Sequence, residues 1–195
     1  MKLACIVEGH GEVDAVPILV RRLAQTMQPG LAIQIEQPLR VPRNRLTKPR
    51  ELERAVELAG RRVGPKGAVL LILDSDDECP ASLAPVLLTR ACNARPDLAI
   101  GVVLAKREFE AWFLAAADSL RGKRGLGPSL SAPEDPESIR GAKEWLTSHM
   151  APGRRYVETL DQPALAATFD LELARRAPSF DKLYREVAAL INHLS

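Results

Sequence analysis

The stretch "GAVLLILDSDDE", residues 67–78, most constrains what this chain can fold into. Val69 to Leu73 are continuously apolar, as in a strand buried on both faces, and that burial is what a parallel sheet covered by helices provides. The run then stops in acids: Asp74, Asp76, Asp77 and Glu78. Such a strand needs partners. "LACIVE" (residues 3–8) and "LAIGVVLAK" (98–106) are of the same kind, and "LAIQIEQPLRV" (31–41) alternates like one strand or two short ones.

Between these runs lie helical patterns. "EVDAVPILVRRLAQTM" places Val13, Val16, Leu19, Val20 and Leu23 at helical spacing, with Pro17 in the early turns where a missing N–H is tolerated. "PRELERAVELAGRR" begins at Pro49 and stops near Gly60 and Gly64. "PASLAPVLLTRACNA" and "EFEAWFLAAADSL" follow the later strands. Residues 1–120 therefore read β-α-β-α-β-α-β-α, an α/β core with a parallel four-stranded sheet and helices on both faces. Beyond Leu120, "RGKRGLGPSLSAPEDPES" reads as a long surface loop. Three helical segments follow, and residues 121–195 are expected to pack on the core as an extension within a single domain. The last helix carries Leu183, Val187, Leu190 and Leu194 as a stripe for core or homodimer packing.

Composition narrows the setting. No apolar run approaches the ~20 residues of a membrane span, and the amino terminus reads as a first strand rather than a signal peptide. Cys5, Cys79 and Cys92 show no CxxC spacing and no pairing with His10, His149 or His193, which fits a reduced, cytoplasmic setting and argues against structural zinc. Net charge is only +2. One basic run stands out, "RVPRNRLTKPR", in which Arg40, Arg43, Arg45, Lys48 and Arg50 can neutralise phosphates or simply line a solvated loop.

In a parallel α/β sheet ligands sit at the carboxyl ends of the strands, and three of those ends carry acids. Glu8 ends the first strand, with Glu12 one turn further on. Asp74 and Asp76 end the third. Glu108 and Glu110 follow the fourth, just after Lys106 and Arg107. Two residues apart at a strand end, Asp74 and Asp76 are expected to point the same way and to repel without a cation, which a hard ion such as Mg²⁺ would supply. Simpler roles exist: Glu12 can complement a helix dipole, Ser75 and Glu78 have capping-box spacing, and Glu110 fits a surface helix position. The turn "VEGHGEVDA" admits a competing reading as a dinucleotide turn, with Glu36 near the place of a ribose-binding acid. The third glycine of that fingerprint is replaced by Asp14, and Glu8 and Glu12 would oppose a pyrophosphate.

"EGHGE", with Glu8, Gly9 and Glu12, and "LILDSDD", with Asp74 and Asp76, together resemble the Toprim domain of type IA and type II topoisomerases, DnaG-type primases and OLD-family nucleases. "KREFEAWFLA" and "DQPALAATFDLELARRAPSFDKL" also resemble a small bacterial Toprim-like family of unknown function. The resemblance implies a Rossmann-like sheet and Mg²⁺ or Mn²⁺ chemistry, with one or two ions, on DNA or RNA. Carried over by position, Glu8, Asp74 and Asp76 would be the core metal ligands and catalytic residues, with Glu12 a further ligand. Glu108 or Glu110 would complete a second metal site, and Lys106 would stabilise charge on the scissile phosphate. The implied reaction is metal-assisted hydrolysis, in which the metal lowers the pKa of a water and carboxylates position it. There is no ATPase segment of the kind OLD nucleases carry, which implies a separate ATPase partner and a role in defence or repair. No topoisomerase tyrosine is evident, since Tyr156 and Tyr184 sit in the helical tail. A non-catalytic accessory protein, a nucleotide-binding protein, and a phosphatase using "DSD" as its nucleophile motif are the competing classes.

Overall fold

The computed structural model describes residues 1–194, and side chains for residues 1–193. In chain order the elements are β1 (Lys2–Val7), α1 (Glu12–Met27), β2 (Gln34–Ile35), β3 (Leu39–Arg40), α2 (Arg43–Leu46), α3 (Glu51–Val63), β4 (Gly67–Asp74), α4 (Pro80–Ala94), β5 (Ala99–Ala105), α5 (Ala111–Ala115), α6 (Ala142–Ser148), α7 (Glu158–Ala166), α8 (Leu171–Ala174) and α9 (Pro178–Leu194). All strand pairings are parallel, in the order β2-β1-β4-β5, with β3 also against β1. The fold is a Rossmann-like α/β sheet.

The sheet has five strands rather than the four expected. Residues 31–41 form two short strands on the same edge of β1, with registers Lys2↔Gln34 and Ile6↔Leu39. Pro38 lies between them and has no N–H to give a ladder, which breaks the run.

Side-chain alternation sorts the core onto two faces. Leu3, Cys5 and Val7 of β1, with Ala68, Leu70 and Ile72 of β4, meet α1, α5 and the carboxyl-terminal helices. Ala4 and Ile6, with Val69, Leu71 and Leu73, meet α3 and α4. The first cluster runs without a break from β1 to Leu126, Leu165, Phe180 and Val187, so residues beyond 120 share the core of the sheet. The stripe on α9 is buried at Leu183, Val187 and Leu190; the side chain of Leu194 lies outside the described residues.

Two boundaries differ from the sequence reading. α3 starts at Glu51, not Pro49, because Arg50 takes a left-handed conformation (φ 68°). The helix expected over 108–120 is cut to α5 and a 3₁₀ turn, Ala117–Leu120. Arg176 donates to the carbonyl of Ala115 there and closes the helix end. The stretch read as a surface loop is anchored as well, for Leu126, Leu130 and Pro136 are buried.

Candidate cation pocket

β1 and β4 are neighbours in register Val7↔Ile72, and β4 meets β5 at Asp74↔Ala105. The acids after these three strands therefore share one edge of the sheet. Asp74 continues the alternation of Ala68, Leu70 and Ile72, which places it on the face shared with α1 and the carboxyl-terminal extension. It accepts from the backbone N–H of Phe109 at 2.8 Å.

The glycine turn does not present free N–H groups. Glu12 Oε2 accepts from the N–H of Glu8 (2.9 Å) and of Gly9 (3.2 Å), and Glu158 Oε1 accepts from Gly11 (3.1 Å). Carboxylates of the chain thus occupy the donors that a pyrophosphate would need. The dinucleotide reading loses its main support, and Gly9 and Gly11 serve close packing. A Cβ on Gly11 would lie 2.8 Å from the backbone oxygen of Glu158 and would collide with the Gln162 amide oxygen. Gly11→Ala should therefore destabilise the protein by roughly 1–3 kcal/mol, read as a lower urea midpoint. An unchanged midpoint would mean that α7 does not press on this turn in solution.

Glu110 is fully buried rather than on a helix surface. Its Oε1 accepts from Tyr156 Oη (2.9 Å) and Gln162 Nε2 (3.2 Å), while Oε2 is buried with no hydrogen-bond partner. Glu8 Oε2 is likewise buried and unpartnered. Lys143, on α6, places Nζ 2.9 Å from Glu158 Oε2 and 4.0 Å from Glu110 Oε2. Glu158 and Glu110 thus flank one ammonium, whose charge also reaches Glu8 and Asp74.

The electrostatics follow from that crowding. Burial first, then the charges of Glu12, Glu110 and Glu8, hold Asp74 well above the ordinary carboxylate range. Burial likewise pushes Glu12 and Glu110 up to about 7, and burial with Asp76 raises Glu8. Glu158 goes the other way: the hydrogen bonds from Lys143 and Gly11 outweigh its burial.

The other expected members of the site are placed differently from the sequence reading. Asp76 does not point with Asp74. β4 ends at Asp74, and Asp76 is left-handed (φ 49°), so the two-residue period of a strand no longer applies. It pairs with Arg43 at 2.7 Å on the rim of a cleft of ≈ 730 Å³ that Glu8, Asn44, Thr47 and Glu78 also line. Its backbone N–H donates to the carbonyl of Arg107, itself left-handed (φ 65°), and Arg107 N–H donates to Ser75 Oγ. Ser75 is therefore a tie between the ends of β4 and β5, not a helix cap, and α4 starts only at Pro80. Glu108 turns away: its Oε1 accepts from the N–H of Gly141 and Ala142 at the start of α6. Lys106 is exposed and lines a separate groove with Cys79, Pro178 and Lys182, which shares no lining residue with the acid cleft.

The basic run is less available than its sequence suggests, because its acids come from elsewhere in the chain. Arg43 donates to the Asp74 carbonyl, Asp76 and Glu78, and Arg45 to Glu51. Arg40 reaches the Glu8 carbonyl at 3.4 Å. Among the described residues, only Lys48 and Arg50 of the run have side chains with no such partner.

The donor set fits a hard divalent cation, being all carboxylate oxygen with two of those oxygens orphaned. Among the described residues no three His, Cys, Asp or Glu side chains already converge as a cage. Each acid leans instead on an N–H, a hydroxyl, an amide or Lys143. Sequence reasoning missed Lys143, Tyr156, Glu158 and Gln162. Glu158 and Gln162 are one helical turn apart on α7 and so share a face, a pattern legible in principle. Lys143 carries no local signal.

Fold and site together define a Rossmann-like α/β protein with a carboxylate pocket at the carboxyl ends of its parallel strands. The chain belongs to the family described as a domain of unknown function (DUF4276), whose pattern matches residues 7–188. No curated protein and no solved structure matches it.

Proposed function

We propose that this protein is a Toprim-type, Mg²⁺- or Mn²⁺-dependent nuclease or phosphodiesterase acting on DNA or RNA. The observation that carries the reading is the buried, unpartnered carboxylate oxygen Glu8 Oε2 at the end of β1, beside Asp74 at the end of the neighbouring β4. Burying carboxylates without a partner is strongly unfavourable, and a cation removes that penalty. Glu8, Glu12 and Asp74 would hold the ion, which would supply Lewis-acid charge at a phosphodiester. Tyr156 and Gln162 fix the orientation of Glu110, and the Glu12 carboxylate holds the turn that presents Glu8. Arg43 stands at the rim of the cleft, where exchange of Asp76 or Glu78 for a phosphate oxygen would bind substrate.

The test is cleavage of plasmid, single-stranded DNA and RNA by the purified protein with Mn²⁺ or Mg²⁺. The expected result is metal-dependent cleavage of at least one substrate, abolished by EDTA. The accessory reading draws on the engagement of Arg43 and Arg45 with acids, which leaves few free cations for nucleic acid. In that reading the protein binds a separate ATPase and cleaves nothing, so nucleic acid left intact with every ion would displace the nuclease. No helix among the described residues is long and apolar enough to cross a membrane, and a cytoplasmic site of action is part of this proposal.

A further inference from the structure

Resting on the reading that Glu8, Glu12 and Asp74 hold a divalent ion, we propose that the Lys143 ammonium fills a second cation position of the same pocket and limits it to one ion. The geometry around Lys143 is built rather than incidental. Glu108 Oε1 accepts from Gly141 N–H and Ala142 N–H, fixing the start of α6 immediately before Lys143. From there Nζ reaches Glu158 Oε2 at 2.9 Å, while Glu158 Oε1 holds Gly11 N–H.

Glu110 is the second, independent observation. Its side chain is 1% exposed, and Tyr156 and Gln162 hold only Oε1. Oε2 faces Nζ at 4.0 Å, beyond the reach of a charge-assisted hydrogen bond. That oxygen is therefore turned toward the ammonium, compensated by its field but not bonded to it. The carboxylates of Glu110 and Glu158 flank Lys143 as a pair of oxygen donors, which is what a hard ion takes when no ammonium stands there. A monovalent cation tethered to the chain and a free divalent ion compete for the same oxygens, and the tethered one is always present.

The readout is the number of Mn²⁺ ions bound, by titration calorimetry of the metal-free chain, without reference to activity. Wild type should bind one ion. Lys143→Met, which keeps the aliphatic stem and drops the charge, should bind two. Lys143→Arg keeps a cation and should stay at one, and Lys143→Met combined with Glu110→Gln should return to one. Should Lys143→Met fail to fold, Lys143→Gln offers the same uncharged position with a polar end. An equal count in wild type and the uncharged variant overturns the role of Lys143. A wild type that binds no ion, beside an uncharged variant that binds one, overturns the nuclease site alone. No ion in either overturns both.

Discussion

Asp74→Asn should abolish metal-dependent cleavage, with a loss of about 10³-fold or more, while the metal-free protein becomes no less stable and even more so. The loss follows from removing a charged ligand from the centre of the pocket. Metal-centred charge stabilisation is worth several kcal/mol at the transition state, and each ~1.4 kcal/mol is tenfold in rate. The stability half of the expectation has the opposite sign for a definite reason. Asn keeps an oxygen for the Phe109 N–H, so the 2.8 Å bond at the end of β4 survives. What it removes is first the cost of burying a carboxylate there and then the repulsion that Glu12, Glu110 and Glu8 exert on it. Wild type and variant should be melted with EDTA and with Mn²⁺, and their cleavage rates compared. Mn²⁺ should raise the melting point of wild type by mass action and do much less for the variant. A variant that is strongly destabilised in EDTA yet still stabilised by Mn²⁺ would place Asp74 in the scaffold and outside the cation site.

That contrast also marks how far the sequence could be read. Unbroken apolar runs at residues 3–7, 67–73 and 99–105 are legible because burial on both faces leaves no polar period to confuse the pattern, and all three are parallel strands. Glu8 and Asp74 are legible as pocket acids because each follows such a run directly. The place of Asp76, against Arg43 in the cleft that Glu8 also lines, is not legible, because a left-handed residue at position 76 breaks the strand period before its side chain is placed. Lys106 and Glu108 fail for a related reason. They follow β5, where Lys106 N–H is taken by Ser179 and the Glu108 carboxylate by α6, so contacts from residues 141–179 decide where they point. Lys143, Tyr156 and Glu158 lie over 130 residues from Glu8 or more than 30 from Glu110 along the chain, and only the packing of the extension on α1 and β5 brings them to the pocket. Local pattern places strand ends; it does not place what folds back onto them.

The second large effect is on stability against pH. Glu12 and Glu110 have an ordinary carboxyl value of 4.5 when unfolded and about 7 in the folded protein. Between those limits the folded state holds protons that the unfolded state has released. Stability must then fall as pH rises, fully present below about 4.5 and lost by the time pH passes about 7. Each group accounts for roughly 3 kcal/mol over that window, and Asp74 and Glu8, raised for the same reasons, add in the same direction. Two partners act outside the window. Glu158 is held low, so its contribution disappears only as pH falls below the ordinary carboxylate range, and Lys143 is held high, so its contribution disappears only at alkaline pH. Urea midpoints between pH 5 and pH 8 in EDTA should therefore decline steadily. With saturating Mn²⁺ the decline should flatten or reverse, because the ion binds the deprotonated carboxylates and is worth most where they are fully ionised. The two curves would meet at low pH and separate above neutrality. Curves that stay parallel from pH 5 to pH 8 would mean that these carboxylates are not what the ion binds, and metal-free stability that rises with pH would mean that the pocket's acids are already ionised in the folded chain.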